Sequence, residues 1–198
     1  MANNALWYKT LMPKKLIDIV REDIDDATKD LKEAKVFSGV QHSIRDSRVD
    51  WLPSYHWIVG LCYHYVLQAN RYNFLYDISG FDHESMQYTS YNEGEYYNWH
   101  VDTGLDSFRK PGENKQENFV FEKSEEIRKL SIIVQLSDPD EYEGGEVQLM
   151  SDNDSSFFLP KTRGTVIVFD SRTKHRVKKV ISGHRQSLVG WVVGPRWK

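Results

Sequence analysis

The chain has 198 residues, 39% of them apolar and 28% charged, with a formal net charge of −3. That balance fits one soluble globular domain and excludes a disordered chain, which could not bury enough apolar surface to fold. A single cysteine, Cys62, excludes an internal disulfide framework and any multi-cysteine zinc or iron–sulfur site.

From the N-terminus, Met1-Ala2-Asn3-Asn4 lacks the basic and apolar regions of a signal peptide. No apolar run approaches the roughly 20 residues of a membrane-spanning helix. A soluble, cytoplasmic protein that does not enter a membrane is therefore expected. Over residues 14–35 the apolar side chains Leu16, Val20, Ile24, Ala27, Leu31 and Ala34 recur in steps of three and four, which predicts an amphipathic helix. Pro13 suits its first turn, where a missing N–H costs nothing. A second helix is expected from Ser54, with the serine as N-cap and an apolar face of Ile58, Leu61, Cys62, Tyr65, Val66 and Ala69. Cys62 lies in an apolar stretch and reads as core filling.

After Asn70 the pattern changes to short β-rich runs separated by turn signals. Strands are predicted over residues 74–78, 86–91, 98–101, 129–136, 146–150, 164–169, 175–180 and 187–193. Gly144-Gly145 and Ser182-Gly183 read as hairpin turns. Eight short strands with no helical period between them point to a closed sheet or a double-sheet jelly roll, braced on one face by the helices. Residues 103–127 are polar, carry Gly and Pro, and read as a functional or mobile loop. Residues 161–198 hold ten Lys or Arg and one Asp, a local net of +9. Such an excess could draw an anionic ligand or nucleic acid, but it is spread along strands, as on a solvated face.

Of the seven histidines, His56 and His64 fall in the second helix, and His42 and His83 in loops. His100 differs, because Asp102 follows two residues later and the strand period of two would place imidazole and carboxylate on one face. His175 opens a later strand. Two imidazoles and one carboxylate make the facial triad of non-haem Fe(II) oxygenases, which leaves positions open for a chelating cosubstrate and O₂. Ten residues beyond His175 comes Arg185, with Ser187 on the same predicted face. A guanidinium is a planar two-pronged donor matched to a carboxylate, and the hydroxyl adds a third donor.

Several stretches stand in one order from Tyr91 to Trp191. They are Tyr91-x-x-Gly94-x-x-Tyr97-x-x-His100-x-Asp102, Arg128-x-Leu130-Ser131-x-Ile133-x-x-Leu136-Ser137, Tyr142-x-Gly144-Gly145-Glu146, Pro160-x-x-x-Gly164, and His175-Arg176-Val177 with Gly183-x-Arg185-x-Ser187-x-x-x-Trp191. In combination they resemble the Fe(II)/2-oxoglutarate-dependent dioxygenases of the prolyl 4-hydroxylase type. Upstream, Ile44-Arg45-Asp46-Ser47 and Trp51-Leu52 resemble a segment of the bacterial and phage-like branch.

The resemblance implies a mainly β fold with N-terminal helices. This would be a single oxygenase domain over 1–198, with helical support over about 1–70 and a double-stranded β-helix over about 71–198. It implies His100, Asp102 and His175 as iron ligands and Arg185 as the anchor for the distal carboxylate of 2-oxoglutarate. Tyr91, Ile133, Gln135, Ser187 and Trp191 would line the cosubstrate pocket. The cofactors implied are Fe(II), 2-oxoglutarate and O₂, with ascorbate as an accessory reductant. The activity implied is hydroxylation, most naturally of a prolyl residue in a peptide or protein, with succinate and CO₂ as coproducts. Tyr96, Tyr97 and Trp99 could line the peptide groove. Retention of Asp102 argues against halogenation, and the spacing of ten between His175 and Arg185 argues against nucleic-acid demethylation. A free amino acid or nucleic acid as substrate, or a non-catalytic jelly-roll binding module, stay open as alternatives. The sequence carries no signal for oligomeric state.

Overall fold

The computed structural model describes residues 6–28, 31–34, 41–82, 85–103, 126–151 and 154–197. The loop expected over 103–127 therefore falls, except at its ends, outside the described residues, as does His83.

The first strand, β1 (Leu6–Thr10), precedes helix α1 (Lys14–Ala27), which buries Ile17, Val20 and Ile24. The helix ends eight residues before the predicted boundary. Thr28 leaves helical geometry, and both its N–H and its hydroxyl donate to the carbonyl of Ile24, at 2.8 and 2.7 Å. Short polar side chains compete in this way with the next helical turn. Three short strands follow, β2 (Lys32–Glu33), β3 (Arg45–Asp46) and β4 (Arg48–Trp51), where the sequence pattern gave only helical support. Helix α2 (Trp57–Ala69) is capped by His56, whose Nδ1 accepts from the amide of Ile58, and not by Ser54. It buries Ile58, Val59, Cys62, Val66 and Ala69, with Leu61 and Tyr65 packed beside them. Burial pushes the Cys62 thiol up to about 12, so it stays protonated and inert. The strand expected over 74–78 is replaced by a π-helical turn, Asn70–Phe74. The Asn70 amide holds both polar groups of the Tyr76 backbone, accepting from its N–H at 2.8 Å and donating to its carbonyl at 2.9 Å.

The remaining strands are β5 (Gly80–Phe81), β6 (Gln87–Tyr91), β7 (Tyr96–His100), β8 (Glu126–Gln135), β9 (Tyr142–Gly144), β10 (Val147–Met150), β11 (Ser156–Phe158), β12 (Thr165–Asp170), β13 (His175–Val177), β14 (Val180–Gly183) and β15 (Arg185–Pro195). The major sheet runs β1-β12-β8-β15-β6-β4-β2, with β5 beside β15. The minor sheet runs β11-β10-β13-β7-β3, and β9 pairs with β14. All pairings are antiparallel, and the two sheets pack as a jelly roll.

The period of two sorts the major sheet into two faces. Leu130, Ile132 and Val134 of β8 and Leu188 and Val192 of β15 join Ile17, Ile24, Ile58 and Cys62 in a core under the helices. Ile133 of β8 and Ile167 and Phe169 of β12 point the other way, to Val147, Leu149 and Val177 of the minor sheet. Ser131, Gln135, Arg185, Ser187 and Trp191 share the parity of this inner face. The polar residues at odd positions of two otherwise apolar strands are thus delivered between the sheets. Among the described residues, no helix is long and apolar enough to cross a membrane.

The two expected hairpin turns are instead one close crossing. Gly144 has φ +75° and Gly183 φ +80°. A Cβ on Gly144 would run into the carbonyl of Lys179, and one on Gly183 into that of Glu141. These glycines let β9 and β14 approach each other. The chain then leaves β9 for the minor sheet, so the strand expected over 175–180 divides into β13 and β14.

Gly190 sits on the helix-facing side of β15, where a Cβ would meet the sulfur of Met86, the ring of Phe81 and Ile132. Gly190→Ala is expected to destabilise the protein by about 1–3 kcal/mol through overpacking. A lowered urea midpoint at unchanged slope would register this. An unchanged midpoint would mean that Met86 and Phe81 yield freely.

Candidate active site

The two histidines 75 positions apart in the motif order are direct cross-strand neighbours. His175 of β13 lies opposite His100 of β7, with ring centroids 4.1 Å apart. On β13 Val177 follows His175 by two residues, whereas its partner Tyr97 precedes His100 by three. The additional residue on β7 is a bulge, a device that re-aims side chains. It brings the Tyr97 ring flat against His100, 3.5 Å between centroids and 12° between planes. Asp102 is not on the strand, as its spacing predicts. It lies just past the end of β7, where its amide donates to the carbonyl of Ser171 at 2.9 Å.

The three side chains converge. Asp102 Oδ1 is 3.6 Å from His100 Nε2, and Oδ2 is 3.4 Å from His175 Nε2. One donor atom from each residue lies within 4.8 Å of the others. The Nδ1 of His100 is 2.7 Å from the carbonyl of Asn98, and that of His175 is 2.9 Å from the carbonyl of Thr173. Each carbonyl can only accept, so each ring carries its proton on Nδ1 and turns the Nε2 lone pair toward Asp102. Ser131 Oγ donates to Asp102 Oδ2 at 2.7 Å and is itself 3.0 Å from Ser171 Oγ. Two imidazoles and a fixed carboxylate facing one point form a donor set suited to a divalent cation.

The electrostatics agree. Burial, reinforced by His175, lowers His100 from 6.5 to about 3, so its ring stays neutral. Burial alone would raise Asp102. The two histidines, the Ser131 hydroxyl and Arg128 outweigh it and hold the carboxyl below its ordinary value. His100 binds its proton more readily when unfolded, so its contribution to stability falls as pH drops from about 6.5 toward 3. The Asp102 contribution is present above 3.8 and is lost as pH falls through its lower folded value. The metal-free protein is therefore expected to lose stability steadily from pH 7 to pH 4. Urea midpoints across that range would show the slope, and His100→Gln should flatten it. A native midpoint constant from pH 7 to pH 4 would contradict the assignment of a buried neutral ring.

Arg185 begins β15 opposite Tyr91 and is 1% exposed. Its Nη1 donates to Ser187 Oγ at 3.3 Å and its Nη2 to Gln135 Oε1 at 3.0 Å, and its guanidinium carbon lies 5.5 Å from the Tyr91 ring centroid. Its Nε is buried with no hydrogen-bond partner, and no carboxylate among the described residues pairs with it. A fully buried cation with neutral neighbours and an orphaned donor is costly unless an anion completes it. A dicarboxylate such as 2-oxoglutarate matches this guanidinium in charge and in donor geometry. Trp191 Nε1, on the same face of β15, is a second buried donor without a partner. Tyr91 and Ile133 are buried in the cluster between the sheets, and Gln135 is buried against Arg185.

Three groups lay outside the sequence reading of the site. Ser131 and Ser171 hold Asp102. Arg128 donates to Asp82 at 2.6 Å and covers Trp191, with 4.3 Å from guanidinium to ring. Only Ser131 carried a sequence signal, its parity on β8 in step with Ile133 and Gln135. Of the aromatic trio after Tyr91, only Tyr97 reaches the triad. Tyr96 donates to the carbonyl of His42 at 2.9 Å, and Trp99 lies under Arg176. Four cations of the basic C-terminal region are answered by carboxylates or buried. Arg163 pairs with Asp18 and Asp138, Arg172 with Asp170 and Lys178 with Glu146, while Arg185 is interior.

Comparison with known proteins agrees with this geometry. The family model described as the 2OG-Fe(II) oxygenase superfamily matches residues 86–193. A PKHD-type hydroxylase of Synechococcus sp. (strain CC9605) is 36% identical over 101 residues, 50% of this chain and 37% of that protein. The matched stretch thus spans little more than a third of that relative's length. Among solved structures, a Pseudomonas putida prolyl-4-hydroxylase superposes with TM-score 0.73 at 18% identity, covering 98% of this chain and 95% of that one. A Trichoplax adhaerens prolyl hydroxylase, in complex with a peptide fragment of the hypoxia inducible factor oxygen degradation domain, gives 0.70 at 14% identity, covering 96% and 84%. At these identities the structural likeness is one of fold.

Proposed function

The chain belongs to the 2OG-Fe(II) oxygenase superfamily, and on that premise we propose that it hydroxylates a prolyl residue of a peptide or protein. His100 Nε2, His175 Nε2 and one oxygen of Asp102 are the iron ligands. Asn98 and Thr173 carbonyls fix the ring tautomers, and Ser131 fixes the carboxylate. Arg185 binds the distal carboxylate of 2-oxoglutarate, with Nε as the free donor and the Ser187 hydroxyl, whose lone pair already accepts from Nη1, turning its own hydrogen to the ligand. Tyr91, Ile133, Gln135 and Trp191 wall that pocket. Iron and 2-oxoglutarate together supply the oxidant that places one oxygen atom of O₂ on a C–H bond, while the cosubstrate becomes succinate and CO₂.

The observation that carries the reading is the buried Arg185, lacking a carboxylate partner among the described residues, between the same two sheets that hold a His–Asp–His cluster. Prolyl chemistry is supported by the kinds of relatives and neighbours the chain has. The test is incubation with Fe(II), 2-oxoglutarate and a panel of proline-containing peptides, followed by mass spectrometry. Gain of one oxygen atom on a proline, with matching succinate, is expected. Succinate coupled to oxidation of a non-prolyl substrate would keep the oxygenase and remove the prolyl assignment.

A further inference from the structure

We propose that Arg45 forms a second anion subsite between the two sheets, beside the triad, and that the molecule hydroxylated by this chain presents a carboxylate to it. The inference rests on the oxygenase reading above and names the chemistry of its substrate. Arg45 lies on β3, the edge strand of the minor sheet, opposite Tyr97 of β7. It is 7% exposed. Its Nε donates to Ser47 Oγ at 2.9 Å, and its Nη2 crosses to the major sheet and donates to Gln87 Oε1 at 3.0 Å. The guanidinium carbon lies 4.7 Å from the centroid of the Tyr97 ring, the same ring that stacks on His100. Every partner is neutral. Nη1 makes no hydrogen bond to a described residue, and no described carboxylate lies within ion-pair distance.

Charge bookkeeping makes this cation informative. Fe(II), Asp102, Arg185 and the doubly charged cosubstrate cancel one another, and Arg128 is answered by Asp82. Among the described residues Arg45 is then a buried charge without a compensating carboxylate beside the triad, a costly arrangement unless a ligand completes it. A guanidinium held by two neutral acceptors, with one nitrogen free, is prepared for a carboxylate. The cosubstrate has its own anchor. Strand β6 separates the two cations, with Tyr91 at its end against Arg185 and Gln87 at its start holding Arg45. The carboxylate could be a chain terminus, a free amino acid or an acidic side chain next to the reacting residue.

The experiment uses the intact chain loaded with Fe(II) and 2-oxoglutarate under anaerobic conditions, so that binding is read without turnover. Three probes are titrated calorimetrically. N-acetyl-L-proline carries a terminal carboxylate, N-acetyl-L-prolinamide none, and N-acetyl-L-aspartyl-L-prolinamide a side-chain carboxylate. At least one carboxylate probe should bind about tenfold or more tighter than the neutral amide, and the better of the two identifies the source. In Arg45→Gln that advantage should fall below about twofold while 2-oxoglutarate affinity is unchanged. Arg45→Lys should keep part of it. Should Arg45→Gln fail to fold, the native protein and Arg45→Lys decide. Equal binding of all three probes, no binding of either carboxylate, or a carboxylate preference that survives Arg45→Gln would overturn the inference. So would loss of 2-oxoglutarate binding in Arg45→Gln, which would make Arg45 part of the cosubstrate site. Failure of the native iron-loaded protein to bind 2-oxoglutarate would instead remove the oxygenase reading itself.

Discussion

Asp102→Ala is expected to abolish iron binding and turnover while leaving the fold in place. The carboxylate sits past the end of β7 and is held by the Ser131 hydroxyl at 2.7 Å, so few packing contacts depend on it. Its removal leaves two imidazoles and no anionic ligand, and metal affinity should fall more than about 100-fold. That exceeds the roughly 10–100-fold expected for Ser131→Ala, which only releases the orientation of the ligand. His100→Ala and His175→Ala should behave like Asp102→Ala, because each removes one of three protein donors. Metal content after anaerobic loading, with circular dichroism to confirm the fold, checks all four variants. Full activity in any of the three ligand variants would refute the triad.

Loss of the buried guanidinium should be nearly as severe for the cosubstrate. Arg185→Ala leaves a dicarboxylate without its charged partner at a position that is 1% exposed. Breaking a buried ion pair from one side costs about 3–5 kcal/mol, roughly a hundred- to several-thousand-fold in binding. Arg185→Lys keeps the charge but loses the forked geometry that reaches both Gln135 and Ser187, so it should fall between. Ser187→Ala should cost about 0.5–1.5 kcal/mol, one hydrogen bond. Iron affinity should be unchanged in all three. If Arg185→Ala binds 2-oxoglutarate normally but weakens peptide binding, the arginine reads substrate.

The parts of this architecture that were legible in the sequence are those governed by local period. The apolar face of α1 through Val20 and Ile24, and the two-residue parity of β8 and β15, follow from side-chain spacing. What the sequence hid was set by single polar side chains or by register. Thr28 ends α1 by bonding back to Ile24, and Asn70 winds the chain where a strand was expected. Neither residue carries a propensity strong enough to announce this. The site shows the same division. Arg185 and Ser187 are two apart on one strand and so could be placed together from spacing. His100 and His175 meet only through the pairing of β7 with β13, which spacing does not encode, and the sequence joined them by the chemistry of the donor set and by resemblance. Arg45 was visible only as part of a resembling segment. Its burial among neutral acceptors depends on β3 reaching across to β6.

The most direct test of the central claim follows the oxygen atoms. The chain, supplied with Fe(II), 2-oxoglutarate, a proline-containing peptide that it accepts and isotopically labelled O₂, should yield succinate carrying one labelled oxygen. Hydroxylated peptide should form in matching amount, and Asp102→Ala should yield neither. Succinate no higher than in a protein-free mixture of iron and cosubstrate, or equal labelled succinate from Asp102→Ala, would contradict it.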